Sequence, residues 1–184
     1  MKLKQILLAG VAVGVANMAM AAEGSITFDG QVVTDTCTLA VDGSADSTVT
    51  LPTVLASDID GASAGETPFK LNITNCDATA KTRGITLALT PTAGNLVGTA
   101  SNLLKNTAAV TPAGNVAIQL AAHGTTFSGN EIPFAAGTFE TTPVLDESGA
   151  VQVPFLARYV EVEAASTPTA GKVSHILNWT ITYN

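Results

Sequence analysis

From Val173 to Tyr183 the chain alternates. Val173, His175, Leu177, Trp179, Ile181 and Tyr183 fall on one side, and Ser174, Asn178, Thr180 and Thr182 on the other, joined only by Ile176. Side chains with a period of two belong to an extended strand, because successive Cβ atoms point to opposite faces. A helix would scatter these residues around its axis. Shorter runs of the same kind recur between Gly, Pro, Asn and Asp clusters such as "DGSAD", "TPAGN", "SGNE" and "DESG". They predict strands over residues 25–41, 47–51, 68–75, 84–91, 115–121, 150–163 and 172–184. About seven strands in one domain suggest an antiparallel sandwich of immunoglobulin type. Residues 55–66 read as a loop with room for one helical turn. Residues 92–114 read as a long crossing segment that carries a short strand or helix. The only Trp, at position 179, is expected in the core rather than on a sugar-stacking surface.

The first 21 residues have a different character. Lys2 and Lys4 precede an apolar run from Ile6 to Ala16, and Ala19 and Ala21 follow in A-x-A spacing. The run is too short to cross a bilayer as a helix. This is the pattern of a secretory signal peptide cleaved after Ala21. The alternative, a membrane anchor, lacks a stop-transfer segment and a basic flank. Cleavage leaves 163 of the 184 residues, enough for one domain with a real core and short for two. Loss of Lys2 and Lys4 leaves six basic residues against fifteen acidic, a net charge of about −9. Such a chain does not attract nucleic acid or an anionic membrane by charge.

Two cysteines remain, Cys37 and Cys76. In an exported protein an even pair reads as a disulfide, here closing a loop of about 40 residues and contributing roughly 4 kcal/mol in the chain-entropy account. A metal pair or a redox pair is the rival reading. The spacing is not C-x-x-C and neither cysteine has a His or third Cys nearby.

Motifs for chemistry are scarce. His123 and His175 fit no metal-ligand spacing, and there is no G-x-S-x-G, phosphate-binding loop or dinucleotide fingerprint. The acidic pairs Asp58/Asp60 and Asp146/Glu147 read as solvated loop residues ahead of a glycosidase or calcium site. The sequons at Asn72 and Asn178 fall in predicted strands and read as coincidence. The balance moves from enzyme towards a structural or binding protein, with no cofactor and no metal.

One stretch contradicts itself. In "GSITFDGQVVTDTC", Ile26, Phe28, Gly30, Val32 and Thr34 share a face, yet Gly30 leaves a hole in its middle, where a strand wants bulk. This segment, followed by the second-cysteine strand "FKLNITNCD", then "VAIQL" and "PFLARY", then a penultimate Tyr183 and Gly171 fourteenth from the end, resembles the pilins of chaperone–usher fimbriae, in particular the type 1 fimbrial major-subunit family. The resemblance covers essentially all of the chain after Ala21, in order.

The resemblance implies an all-β fold, an immunoglobulin-like sandwich lacking its final strand and completed by a donor strand from a neighbouring subunit. It divides the chain into a signal peptide (1–21), a donor-strand extension (22–36) and a pilin domain (37–184). Ile26, Phe28, Gly30 and Val32 would be the inward face of the donor strand. Cys37 and Cys76 would staple the first strand to a later one. Gly171, Tyr183 and Asn184 would form the assembly motif on the last strand, with the Asn184 carboxylate gripped by a chaperone. The implied partners are copies of itself or related pilins, a periplasmic chaperone and an outer-membrane usher. A host receptor would remain unnamed, and neither nucleic acid nor catalysis is implied. The implied location is an extracellular fimbrium on a Gram-negative cell, reached through the periplasm. Two alternatives stay open: a minor adaptor or tip pilin with receptor-binding loops, and a secreted carbohydrate-binding module on a complete sandwich.

Overall fold

The structure, a computed structural model, describes residues 37–184 except 44–47, 99–101, 125 and 135–136. Its strands are β1 (Thr38–Val41), β2 (Ser63–Thr74), β3 (Ile85–Pro91), β4 (Leu96–Val97), β5 (Leu103–Lys105), β6 (Val116–Ala122), β7 (Phe139–Thr141), β8 (Val151–Glu161) and β9 (Leu177–Tyr183). They form two sheets. One has the order β1-β2-β8-β6-β5-β4 and the other β7-β3-β9, with every ladder antiparallel. The chain is all-β, an incomplete immunoglobulin-like sandwich.

The alternating runs become the central strands because each has one face to bury. In β3 the pattern is complete: Ile85, Leu87 and Leu89 are buried and the residues between them are not. They meet Phe69, Leu71 and Ile73 of β2, Phe155 of β8 and Leu120 of β6 to form the main core. Phe69 stacks on Phe155 with ring centroids 5.5 Å apart. Pro154 is tolerated within β8 because β6 reaches only as far as Phe155, so no ladder bond on that side needs its missing N–H.

Several boundaries differ from the sequence expectation. β2 begins at Ser63, ahead of the expected residue 68, and carries a register shift between Ala64 and Thr67, where Gly65 has φ +71°. A bulge of this kind breaks the alternation by which a strand is read. Thr48–Leu51 forms no ladder strand. The regular part of the last strand starts at Leu177, not at residue 172. The segment 55–66 holds one 3₁₀ turn, Ala56–Asp58, before β2 starts, and the crossing segment carries β4 and β5. A short helix, α1 (Ala78–Arg83), was not expected, being too short to show a period. The Asp77 carboxylate caps it by accepting from the Ala80 N–H at 2.8 Å, and Gly84 ends it at φ +84°.

Candidate functional site

Among the described residues, two edges face each other without a ladder between them. β1 is the edge of the larger sheet and β9 the edge of the smaller. Between them opens a cavity of about 550 Å³. Leu39 and Val41 line one bank, Leu177 and Trp179 the other, and Ile118 and Leu120 lie at its floor. These are core side chains with one side uncovered. The pairing across the small sheet makes this plain. Leu89 and Trp179 are direct partners, yet Leu89 is 3% exposed and Trp179 is 43% exposed. Trp179 therefore lies on the inward face, as its alternation says, but is not enclosed in a core. Apolar surface left open in this way is a docking site or an aggregation liability.

One end of the groove is closed by a cluster of ties. Cys37 and Cys76 form a disulfide, fixing the start of β1 beside the end of β2. The Cys37 N–H donates to the Tyr183 hydroxyl at 3.2 Å, joining the two banks. The Cys76 N–H donates to the Gly149 carbonyl at 3.2 Å. Gly149, at φ +77°, presses so closely on the Cys76 carbonyl that a Cβ would collide with it. Asp146 holds this turn. Its carboxylate accepts from the Ser148 hydroxyl and from the N–H groups of Ser148 and Ala150, and these bonds hold its pKa below the usual 3.8. Asn184 lies alongside. Its N–H donates to the Gly84 carbonyl, Thr86 donates to its side-chain oxygen at 2.9 Å, and Arg83 donates to its main-chain oxygen.

The other end is held by backbone fit. Gly171 leaves no room for a side chain, since a Cβ would collide with the main chain of Thr111, Pro112 and Ala113. Next to it, the Lys172 N–H donates to the Thr111 carbonyl at 2.8 Å and the Ala113 N–H to the Lys172 carbonyl at 2.9 Å. The Asn106 amide group donates to the carbonyls of Ala113 and Lys172, and its oxygen accepts from the Ser174 N–H. His175 Nδ1 is 2.9 Å from the Lys105 carbonyl. Asn106 thus stitches the approach to β9 onto the larger sheet. Sequence reasoning missed it, because a polar residue in a crossing segment carries no sign of a partner some 66 residues away.

Among the described residues, His175 is the only ionisable side chain lining the cavity. A carbonyl can only accept, so Nδ1 is the donor in this contact. Nε2 is buried and has no hydrogen-bond partner among the described residues. Also among the described residues, no group of three His, Cys, Asp or Glu could hold a metal ion, and no helix is long and apolar enough to cross a membrane.

Of the residues singled out from sequence, Cys37, Cys76, Tyr183 and Asn184 gather at the closed end and Gly171 stands at the other. Ile26, Phe28, Gly30 and Val32 lie outside the described residues.

The model of the family described as "Fimbrial protein" matches residues 26–184. The chain is 34% identical over 172 residues to "Major fimbrial subunit SMF-1" of Stenotrophomonas maltophilia (strain K279a), covering 90% of this chain and 95% of that one. It is 32% identical over 190 residues to the "F17 fimbrial protein" of Escherichia coli, covering 97% of both. Among solved structures it is similar to the P pilus rod subunit PapA, with a TM-score of 0.59 at 21% identity, over 88% of this chain and 100% of that one.

Proposed function

The chain belongs to the fimbrial protein family and is a structural subunit of an extracellular bacterial fimbria, and from that premise we propose that it polymerises by donor-strand exchange. Residues 22–36 of one subunit fill the groove between β1 and β9 of the next. The observation that carries this reading is the open groove itself, with Trp179 exposed and Leu177 half-buried on one bank and core residues at its floor.

The energetics favour the exchange. Ile26, Phe28 and Val32 form an apolar face, and burying them contributes roughly 1.5–3 kcal/mol each before ordering costs. Main-chain hydrogen bonds to the bare edges add about 0.5–1.5 kcal/mol apiece. The contact is β-strand addition. Each subunit both gives and receives a strand through different surfaces, so the association does not close and a filament results. The same bare edges make a free subunit prone to wrong pairing. A periplasmic chaperone that occupies the groove in transit, and an outer-membrane usher at which the next subunit replaces it, answer that hazard. Gly171, Tyr183 and Asn184 then serve as the assembly motif. We assign the subunit to the fimbrial shaft, supporting cell adhesion.

Expression of residues 22–184 and of residues 37–184, with assembly followed by electron microscopy and size-exclusion chromatography, tests this. The longer chain should polymerise, and the shorter should accept a peptide of residues 22–36 but form no filaments. A longer chain that stays a stable monomer without a chaperone and never takes up the peptide would overturn the reading.

A further inference from the structure

We propose that consecutive subunits also dock body to body, with Val144 of the donating subunit seated in a second apolar pocket at the Gly171 end of the accepting one. This rests on the donor-strand reading above and adds a contact that the strand itself does not make.

The exposed apolar side chains carry the first part of the argument. Among the described residues, the large apolar side chains left exposed are Leu55, Val110, Val144, Ile176 and Trp179. Ile176 and Trp179 line the groove, so a donor strand covers them. It accounts for none of the other three. Leu55 and Val110 lie at the Gly171 end, beside residues 54 and 56 and the 111–113 turn. Val144, at 87% the most exposed of the five, lies at the disulfide end, two residues before Asp146. The unexplained residues thus divide between the two ends of the body.

At the Gly171 end a second cavity of about 290 Å³ opens. Val54, Ile59, Val116, Tyr159 and Val173 line it, and Leu55 stands between two residues of its wall, Val54 and Ala56. Among the described residues no charged side chain lines it, so an apolar side chain suits it better than a charged ligand. The cavity is continuous with the groove, since Leu51 and Val173 line both.

At the disulfide end Val144 is held out on a fixed loop. Before it, β7 ends at Thr141, which is paired with Leu87 of β3, and Pro143 restricts the backbone. After it, Leu145 packs against the main core and the Asp146 carboxylate holds its own turn. A side chain presented in this way loses little freedom when it is bound.

Connectivity brings the two ends together. The extension stops at residue 36, next to Cys37 at the disulfide end of its own subunit. In the accepting subunit that end is tied shut by the Cys37–Tyr183 bond, so the strand leaves the groove at the Gly171 end. A strand lying along residues 173–183 takes up eleven of the fifteen residues 22–36, which leaves four to be shared between its two ends. At roughly 3.3 Å per residue, so short a tether holds the donor's disulfide end against the acceptor's pocket. Val144 is the large apolar side chain exposed on the one surface, and the pocket bordered by Leu55 is the apolar recess on the other.

Cysteine pairs in the full chain, assembled into filaments and treated with a short bismaleimide, read the contact directly, because the native disulfide does not react. Val144→Cys with Leu55→Cys should give a covalent ladder of multimers in denaturing gels. Val144→Cys with Lys70→Cys, which pairs Val144 with an exposed site on β2, should give none. Filaments of the first pair that yield no ladder, or a ladder from both pairs alike, overturn the docking and leave donor-strand exchange standing. A natural chain that forms no filaments overturns the exchange reading itself.

A second measurement needs no cysteines. Val144→Asp and Leu55→Asp alter exposed positions, so each variant should fold as the natural chain does. Their filaments should dissociate about tenfold faster, the equivalent of one buried valine side chain. The double variant should be no faster than the faster single one, because contacting partners are not additive. Unchanged dissociation in both single variants, or additive effects in the double one, overturns the contact.

Discussion

β3 and β9 are neighbours in the same three-stranded sheet and carry the same alternation, yet they are buried in opposite degrees. Ile85, Leu87 and Leu89 of β3 are each 3% exposed or less. Their partners across the ladder are Tyr183, Ile181 and Trp179, of which only Ile181 is buried. β3 has a strand on both sides, β7 and β9, and a sheet above it. β9 has β3 on one side and the groove on the other. Sequence pattern therefore decides which way a side chain points, while topology decides whether anything covers it. A strand with a core face and no cover is unfinished in isolation.

This difference has measurable consequences. The largest should come from β3. Leu87→Ala removes a fully buried side chain and should destabilise the subunit by about 2–5 kcal/mol in chemical denaturation. Trp179→Ala, on the uncovered bank and 43% exposed, should cost less than Leu87→Ala in the free subunit. In the complemented subunit it should cost more, because the donor strand encloses it. Equal losses at the two sites in the free subunit would break the comparison.

A smaller effect is expected where β9 is tethered to the larger sheet. Gly171→Ala forces a Cβ into the main chain of residues 111–113 and should cost about 1–3 kcal/mol, the usual range for overpacking. Thermal melting of the purified variant checks it. An unchanged melting temperature would mean that the approach to β9 yields freely and is not a fixed bank.

The smallest effect should be at the closed end, and it should depend on pH. Asp146 has a lowered pKa because the charged carboxylate accepts bonds from Ser148 and Ala150. The charged form is thus favoured in the fold. Its contribution is present above the ordinary value of 3.8 and is lost as pH falls through the lower folded value. Melts of the natural chain and Asp146→Asn should differ at pH 7 and converge in strong acid, once the pH has fallen through the lowered folded value. A difference that persists in strong acid would show that the turn is held by something other than this charge.

How much of this could be read from the residues alone depended on the range of the interaction. The cores of β2, β3, β6, β8 and β9 were legible, because alternation is local and each strand's apolar face is its own signature. The start of β2 was not, since Gly65 introduces a bulge that breaks the pattern. β7 has only three residues and α1 only six, too few to show a period. Residues 47–51 look like a strand locally, but Thr48–Leu51 has no ladder partner. The groove was legible only through resemblance, because an uncovered face and a covered one have the same sequence. The bonds of Asn106 and of His175 Nδ1 could not be read at all, since their partners lie far away in the chain.

The closed end also decides how the subunit carries a mechanical load. In a filament joined as proposed, tension enters each subunit's body at Cys37, where the extension meets the fold. β1 has only four paired residues on β2. Pulled from its first residue, so short a strand would peel away one pair at a time, like a zipper. The Cys37–Cys76 bond reroutes that force at its point of entry. It passes the pull through a covalent link to the segment that ends β2, the longest strand, which is paired along β8 in the middle of the larger sheet. β1 is thereby spared, and the load is spread across many bonds in shear.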